Sequence, residues 1–184
     1  MAELGDLVER AAKRVGSEAE ALTSPVTEEE LASAEAALGM ALPPLLARLY
    51  REVANGGFGP GYQLFPLVGQ GQTAVEAFRT ERAQSAGEDD PHGPPGILPI
   101  LTWGCGMFAA VDCQSEAGTV LLFEPNAGED GWEHAWYVDA GSLDAWLETW
   151  LSGTGWYEAE AFEDTEAGEP QPWEPAAARL SAST

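Results

Sequence analysis

Two histidines are the side chains best suited to move protons near neutral pH, and they stand apart in the sequence. His92 lies in an Asp-Pro-His-Gly-Pro stretch that predicts a loop, whereas His134 follows Glu133 at the start of a predicted strand. A nucleophilic Cys–His pair could form from Cys105 and His134 only if the fold brought them together. Because such pairs arise by chance in any sequence, we expect no catalytic residues. A hydrolase or metal-dependent enzyme using His134 and nearby carboxylates is a distant alternative.

No spacing in the chain matches a metal or cofactor motif. Asp112, Glu124 and Asp139 could converge on a metal ion, but neither an H-E-x-x-H nor an EF-hand pattern supports this. Residues 126–131 lack the alternating ligands and closing Glu of a calcium loop, and they predict a solvated hairpin turn. Residues 103–107 are glycine-rich without the lysine of a phosphate-binding loop, and they predict a tight connection between two strands. We therefore expect neither a metal nor a cofactor.

The balance of charge restricts the class of partner. Eight Lys and Arg residues oppose 31 Asp and Glu residues, giving a formal net charge of −23. Phosphate binding needs clustered cations, so the sequence disfavours nucleic acids and anionic membranes as partners. The same charge would attract a basic protein and accelerate its association, or it could serve solubility alone.

Several features of the sequence are typical of a cytoplasmic protein. Its first residues include Glu3, Asp6 and Glu9 and lack the apolar region of a signal peptide. No run approaches the roughly 18 apolar residues that a membrane span requires. Cys105 and Cys113 form no C-x-x-C pair, and we expect two buried thiols in a reducing compartment.

Helical spacing of apolar residues predicts three helices near the start of the chain. The first covers residues 3–15 and should end at Gly16. Thr27 and Glu30 match a capping box, which predicts the start of the second helix. The proline pair at 43–44 suits the first turn of the third helix.

The remainder of the chain predicts a sheet followed by a closing helix. A strand is predicted over 62–68, a helix over 73–86 and an acidic loop over 87–96. Four further strands, about ten residues apart and separated by turn-forming clusters, favour an antiparallel meander. They lie at 97–101, 108–112, 119–124 and 135–138. Ser142 caps a last helix that ends near Gly153.

Composition divides the chain into three parts. An N-terminal helix and linker (1–26) precede an α+β domain (27–156), in which N-terminal helices and a C-terminal helix pack on a mixed, mainly antiparallel sheet. In residues 157–184 seven acidic side chains oppose Arg179 alone, and prolines interrupt regular structure. We expect this part to be a disordered acidic tail, with Trp173 as the point where it could be pinned to the domain.

Three motifs occur in a characteristic order along the chain. They are Leu38-Gly39 followed by Leu42-Pro43, then Asn55-Gly56-Gly57, then Trp103-Gly104-Cys105-Gly106 between two strands. Their order and spacing over residues 27–152 resemble the SUKH superfamily. Many members carry an acidic residue directly after the central glycines, where this chain has Met107-Phe108, and this difference argues against a polar role for the turn.

The resemblance implies an α+β fold and a binding role without catalysis. Bacterial members are regarded as immunity proteins that neutralise toxins by direct binding, and eukaryotic members act as regulatory interaction modules. We therefore expect a non-enzymatic immunity protein that is a monomer or weak oligomer and binds a cognate, basic toxin. A regulatory protein-interaction module without a toxin partner is the alternative.

Tryptophans at predicted turns are the first candidates for anchoring a protein partner. Most of the five tryptophans in residues 132–156 should lie in the core, because they fall at helical or strand positions. The candidate partner-binding residues are two tryptophans at predicted turns and three acidic residues, Trp103, Trp132, Asp112, Glu129 and Asp130.

Overall fold

Four helices precede the sheet in this computed structural model, which describes residues 2–18, 23–86, 91–157 and 171–182. Their bounds are Ala2–Glu18 (α1), Glu28–Leu38 (α2), Pro44–Glu52 (α3) and Ala74–Ala86 (α4). The predictions of three N-terminal helices and of a helix over 73–86 are confirmed.

The helix ends follow local chemistry. The Thr27 hydroxyl accepts a hydrogen bond from Glu30 N (3.2 Å), and Thr27 N donates to the Glu30 carboxylate (2.8 Å), which confirms the capping box. The Thr27 hydroxyl also donates to the Glu30 carboxylate at 2.9 Å, and the hydrogen bonds from the Thr27 backbone and, second, from its hydroxyl lower the pKa of Glu30. Gly39 ends α2 with a left-handed φ of 70°. Gly16 keeps helical geometry instead, so α1 continues to Glu18 and the predicted end at Gly16 is wrong.

A five-stranded antiparallel sheet follows, with its strands in sequence order. The strands are Ile97–Gly104 (β1), Met107–Asp112 (β2), Val120–Phe123 (β3), Trp136–Ala140 (β4) and Gln171–Pro172 (β5). Two 3-10 helices, Pro125–Asp130 and Trp132–Ala135, connect β3 to β4. Helix α5 (Leu143–Ser152) begins at Ser142, whose hydroxyl accepts from Ala145 N at 3.4 Å. The predicted meander and closing helix are confirmed.

Residues 62–68 do not form the predicted strand. The Asn55 side chain takes the backbone groups that a neighbouring strand would otherwise bind. Its Nδ2 donates to Val68 O at 2.7 Å, and its Oδ1 accepts from Leu67 N at 2.7 Å. Pro66 has no N–H to offer a strand partner. This side-chain clamp, together with one backbone hydrogen bond from Phe65 N to Ile100 O of β1 at 2.8 Å, takes the place of a strand ladder here.

Both faces of the sheet are apolar and buried. The inner face is lined by Ala109, Val111 and Val120 and belongs to the larger core, which it shares with helices α1 to α5. Of these helices, α4 packs against β1 and α5 against β4. The outer face is lined by Phe108, Ala110, Leu121, Phe123 and Trp136 and forms a second, smaller core. Alternate residues of β2 thus serve opposite cores, as the two-residue period of a strand requires.

The end of the chain covers the outer face. Residues 171–182 form β5 and a helix, α6 (Ala176–Ser181). Trp173, between the two elements, and Leu180 of α6 are both buried. The expectation of a disordered tail does not hold for this part, because burial of its apolar side chains outweighs its acidic, proline-rich composition. Trp173 pins the segment to the domain, while residues 158–170 of the expected tail lie outside the described residues.

A two-residue turn connects β1 to β2, as the glycine-rich sequence predicts. Gly104 pairs with Met107, and the two loop residues between them, Cys105 (φ 53°) and Gly106 (φ 83°), are both left-handed. This is the backbone geometry of a type I′ hairpin turn. Cys105 is exposed, contrary to the expected burial, whereas Cys113 is half-buried and burial raises the pKa of its thiol to about 12.

Replacing Cys105 by Asn should stabilise the fold by roughly 0.5–1 kcal/mol, because Asn tolerates left-handed backbone better than Cys does. The exposed thiol contributes little packing that could be lost. Cys105→Val should destabilise the fold by about 1 kcal/mol, since a β-branched side chain is least tolerated there. Urea denaturation against the wild type measures both changes, and equal midpoints for the two variants would contradict the left-handed turn.

Candidate protein-binding surface

Four aromatic side chains meet beside the β1–β2 turn, and we call Tyr62, Trp103, Trp156 and Tyr157 the aromatic patch. Trp103 lies at its centre. The Trp103 ring centroid is 6.2 Å from that of Tyr62, 5.0 Å from that of Trp156 and 5.1 Å from that of Tyr157. These rings come from the loop after α3, from β1 and from the segment after α5, so only the folded chain brings them together.

Two rings of the aromatic patch are open to solvent. Tyr62 is 63% exposed and Trp156 is 38% exposed, and within the described residues they are the large hydrophobic side chains that reach this exposure. Tyr62 follows the Gly-Pro-Gly turn at 59–61, and Trp156 follows Gly153, which ends α5 in a left-handed conformation. Exposed aromatic rings that adjoin the core are typical anchors of protein interfaces.

A half-buried carboxylate fixes the orientation of the patch. Asp139 of β4 accepts hydrogen bonds from the indole nitrogens of Trp146 (2.8 Å) and Trp156 (2.9 Å). The Tyr157 hydroxyl lies 2.9 Å from the Thr149 hydroxyl on α5. Burial raises the pKa of Asp139, although the two indole hydrogen bonds oppose this shift. The exposed Trp156 ring is therefore held in a fixed orientation.

Packing of its ring holds Trp103 in place, whereas its indole nitrogen contributes no hydrogen bond among the described residues. Its ring packs against the larger core, while its indole Nε1 is buried and has no hydrogen-bond partner in the part of the chain that the structure describes. An unsatisfied buried donor costs about 1–3 kcal/mol. The position is thus maintained by aromatic packing strong enough to offset that cost.

The residues that the sequence predicts to bind a partner do not share one surface. Trp103 packs on the inner-face core within the aromatic patch, whereas Trp132 packs on the outer-face core, with its ring centroid 6.2 Å from that of Phe123. Glu129 and Asp130 are exposed at the end of the first 3-10 helix, close to Trp132 in sequence. Trp103 and Trp132 thus lie on opposite faces of the sheet.

Asp112 is a correction, because its side chain lies inside the molecule and not on a binding surface. It is 6% exposed, and the guanidinium of Arg179 on α6 donates to its two oxygens at 2.9 and 3.4 Å. The backbone N–H of Gln114 also donates to it at 3.0 Å. Asp112 therefore binds the chain's own C-terminal segment.

The two histidines occupy different environments. His92 is buried, its Nε2 is 3.3 Å from the Glu81 carboxylate, and its carbonyl accepts a hydrogen bond from Trp136 Nε1. His134 is exposed, and its Nε2 is 3.9 Å from Glu133. Among the described residues, no group of three or more His, Cys, Asp or Glu side chains is placed to hold a metal ion. The described helices include none long and apolar enough to cross a bilayer.

Sequence reasoning misses the two exposed members of the patch. Tyr62 falls in the stretch that predicts a strand, and Trp156 is counted among tryptophans expected mostly in the core. A local signal exists for Trp156, because it lies beyond Gly153 and so outside the helical stripe of α5. For Tyr62 the Gly-Pro-Gly turn at 59–61 indicates a loop, but no local feature places that loop beside Trp103.

Replacing Asp139 by Asn should make the free energy of unfolding less dependent on pH. Burial raises the folded-state pKa of Asp139 above its unfolded value of about 3.9, so its contribution to stability is fully present below that value and is lost as the pH rises through the folded-state pKa. Asn stays uncharged at every pH. Between about pH 3 and 7, the wild type should therefore lose stability relative to the variant.

Thermal unfolding across this pH range measures the difference, with Glu116→Gln in the exposed turn between β2 and β3 as the control. The control keeps Asp139 and should therefore lose stability over this range as the wild type does. A constant difference in stability between wild type and Asp139→Asn over the whole range would contradict the predicted shift.

Comparison with known families agrees with the fold. The model of the SMI1 / KNR4 family (SUKH-1) matches residues 25–149, a range that begins just before α2, ends within α5 and includes β1 to β4. No curated protein matches the chain as a relative. The resemblance drawn from the sequence motifs is confirmed, and because the match covers more than half of the chain, the chain belongs to the SMI1/KNR4 family.

Proposed function

We propose that this chain is an immunity protein that neutralises a cognate toxin by binding it directly. The observation that carries the proposal is the aromatic patch, where Tyr62 and Trp156 are exposed beside Trp103. Tyr and Trp often dominate the energy of protein interfaces, because they bury a large area and lose few rotamers on binding. Membership of a family whose bacterial members are regarded as immunity proteins supports the same function.

Preorganisation favours the patch as the anchor. The Trp156 indole donates to Asp139, and the Trp103 ring stacks on Tyr157 at 21° between planes. Rings that are already fixed lose little conformational freedom when a partner covers them, so more of the contact energy appears as affinity. The patch would supply apolar ring faces and the phenolic hydroxyl of Tyr62.

The charge of the chain favours a basic toxin. A net charge of −23 attracts cationic proteins over several ångströms and raises the rate of encounter. Glu129, Asp130 and Asp144 are exposed examples of this acidic surface. Aromatic anchors would then determine how long the complex lasts, while the surface charge would determine how fast it forms.

The first experiment identifies the partner. Tagged wild-type protein and a Tyr62→Ala/Trp156→Ala variant capture proteins from a native lysate, and the protein encoded next to this chain is tested directly. Growth of cells that express the neighbouring reading frame should depend on co-expression of the wild type. A captured partner without toxicity would instead favour a regulatory interaction module.

Truncating the exposed rings should weaken binding strongly. We expect Tyr62→Ala and Trp156→Ala each to lower the affinity for the partner by at least about 30-fold, or roughly 2 kcal/mol, mainly by faster dissociation. Both side chains are exposed, so the free protein should remain folded. Surface plasmon resonance measures the two rate constants.

Conservative variants provide the matched controls. Tyr62→Phe and Trp156→Phe keep a ring at each position and should retain binding within about tenfold. Trp132→Ala tests the other tryptophan predicted as an anchor, which packs on the outer-face core. If Trp132→Ala weakened binding and the two patch variants did not, the binding surface would lie at the β3–β4 connection and the aromatic patch would be excluded.

Salt should act on association and not on dissociation. If the toxin is basic, its on-rate should fall steeply as salt rises to physiological strength, where the screening length is about 8 Å. Six acidic residues follow Tyr157 in the sequence and precede β5. Replacing them by Gln or Asn should slow association modestly and leave the off-rate unchanged. These residues are Glu158, Glu160, Glu163, Asp164, Glu166 and Glu169.

Neutralisation is a sharper test than deletion of residues 158–184, because deletion would also remove Trp173 and Arg179 from the outer face. Surface plasmon resonance over a salt series compares the neutralised chain with the wild type. An on-rate that does not change with salt would show that the charge serves solubility and that the partner is not selected for being basic.

A further inference from the structure

Residues 171–182, which we call the C-terminal clasp, complete the outer-face core. Trp173 is 5% exposed and packs edge-on against Trp136, with ring centroids 6.2 Å apart. Ala176 and Leu180 of α6 are also buried. The backbone adds a two-residue strand pairing to β4 and a hydrogen bond from Trp173 N to Trp136 O at 2.9 Å. The clasp thus binds much as a short peptide binds a sheet, by strand addition with pockets for its side chains.

A partly buried ion pair joins the clasp to the domain. The Arg179 guanidinium donates to both oxygens of Asp112 and to the carbonyl of Pro95 at 2.7 Å, and it lies 5.4 Å from the ring of Trp173. The Asp112 and Arg179 side chains are 8% and 21% exposed. A paired arginine fork of this kind is specific in geometry, and removing either partner leaves a buried charge unpaired.

The clasp is separate from the part of the chain that defines the family. The family match ends at residue 149, whereas the clasp begins at 171. Its contact to the sheet by strand pairing covers only Gln171 and Pro172, and α6 is six residues long. The elements of the matched region bury their apolar residues mostly with one another in the larger core.

We propose that the outer face of the sheet is a peptide-binding site and that the clasp is its built-in ligand, a separable unit locked by Arg179 on Asp112. It can leave while the family-matched domain stays folded. The site selects a segment with an aromatic side chain in the place of Trp173 and an arginine six residues later. This inference does not depend on the proposed toxin or on the aromatic patch.

Native-state hydrogen exchange on the full chain tests whether the clasp opens separately. The amide of Trp173 donates to Trp136 O in β4, and the amide of Arg179 donates to Pro175 O within the clasp, so both report opening of the clasp. The amides of β2 and β3 report opening of the domain. We expect clasp amides to exchange at least about tenfold faster than those of β2 and β3.

Removing the lock should accelerate only the clasp. Arg179→Met and Asp112→Asn should each raise exchange in residues 171–182 a further tenfold or more, and the double variant should resemble the single ones. Arg179→Met should leave β2 and β3 unchanged, and Asp112→Asn, which lies at the end of β2, should leave β3 unchanged. Arg51→Met is the matched control, since it removes an arginine from an exposed ion pair with Glu28. Equal exchange in clasp and sheet, accelerated together by Arg179→Met, would make the clasp an integral part of the domain and overturn the proposal.

Binding in trans provides the second measurement. A protease site replaces residues 160–166 of the full chain, and after cleavage a fluorescent synthetic peptide of residues 168–184 competes with the cleaved clasp. The wild-type peptide should exchange into the complex, and a peptide with R179M should bind at least about tenfold more weakly. If the cleaved clasp could be displaced only by unfolding the whole protein, the outer face would not be a peptide-binding site.

Discussion

A sheet that is apolar on both faces has to be covered twice, and this requirement determines where the rest of the chain goes. Consecutive residues Ala109, Ala110 and Val111 of β2 are all fully buried, so neither side of the strand tolerates water. The helices before and after the sheet cover its inner face, whereas the outer face is covered by Trp132, by residues 171–182 and by His92 of the loop before β1. An antiparallel sheet more often leaves one face to solvent, and here the end of the chain supplies the second layer.

Local signals predicted most of the elements, and long-range contacts account for the exceptions. Thr27 and Ser142 cap their helices through their own side chains, so the sequence alone reveals both starts. Of the clasp only the attachment at Trp173 was predicted, because its few apolar residues gain stability only from an outer face that no local pattern displays. Residues 62–68 have the apolar content of a strand, but Asn55, distant in sequence, binds the backbone that a strand would need. Double burial of the sheet also explains why its strands show only weak alternation.

The candidate binding surface was predictable at its centre and not at its edges. Trp103 could be predicted as a candidate because it lies in a glycine-rich stretch at a turn. Its ring is half-buried, however, and the solvent-exposed rings of the patch are those of Tyr62 and Trp156. Those two approach Trp103 from loops whose paths depend on tertiary packing. Asp139 illustrates the same limit, since nothing local shows that a strand carboxylate will bind two indoles. This half-buried carboxylate supports the aromatic patch from beneath and is not itself part of the exposed surface.

The two cysteines of this chain differ enough in environment to be chemically distinguishable. Cys113 is half-buried with a raised pKa, so at neutral pH it remains a protonated, unreactive thiol. Cys105 stands exposed at the tip of the β1–β2 hairpin, two residues from Trp103. The wild-type protein therefore carries a single natural attachment point for a fluorophore or spin label beside the aromatic patch. A label there would sense the approach of any molecule to that surface without a change to the sequence.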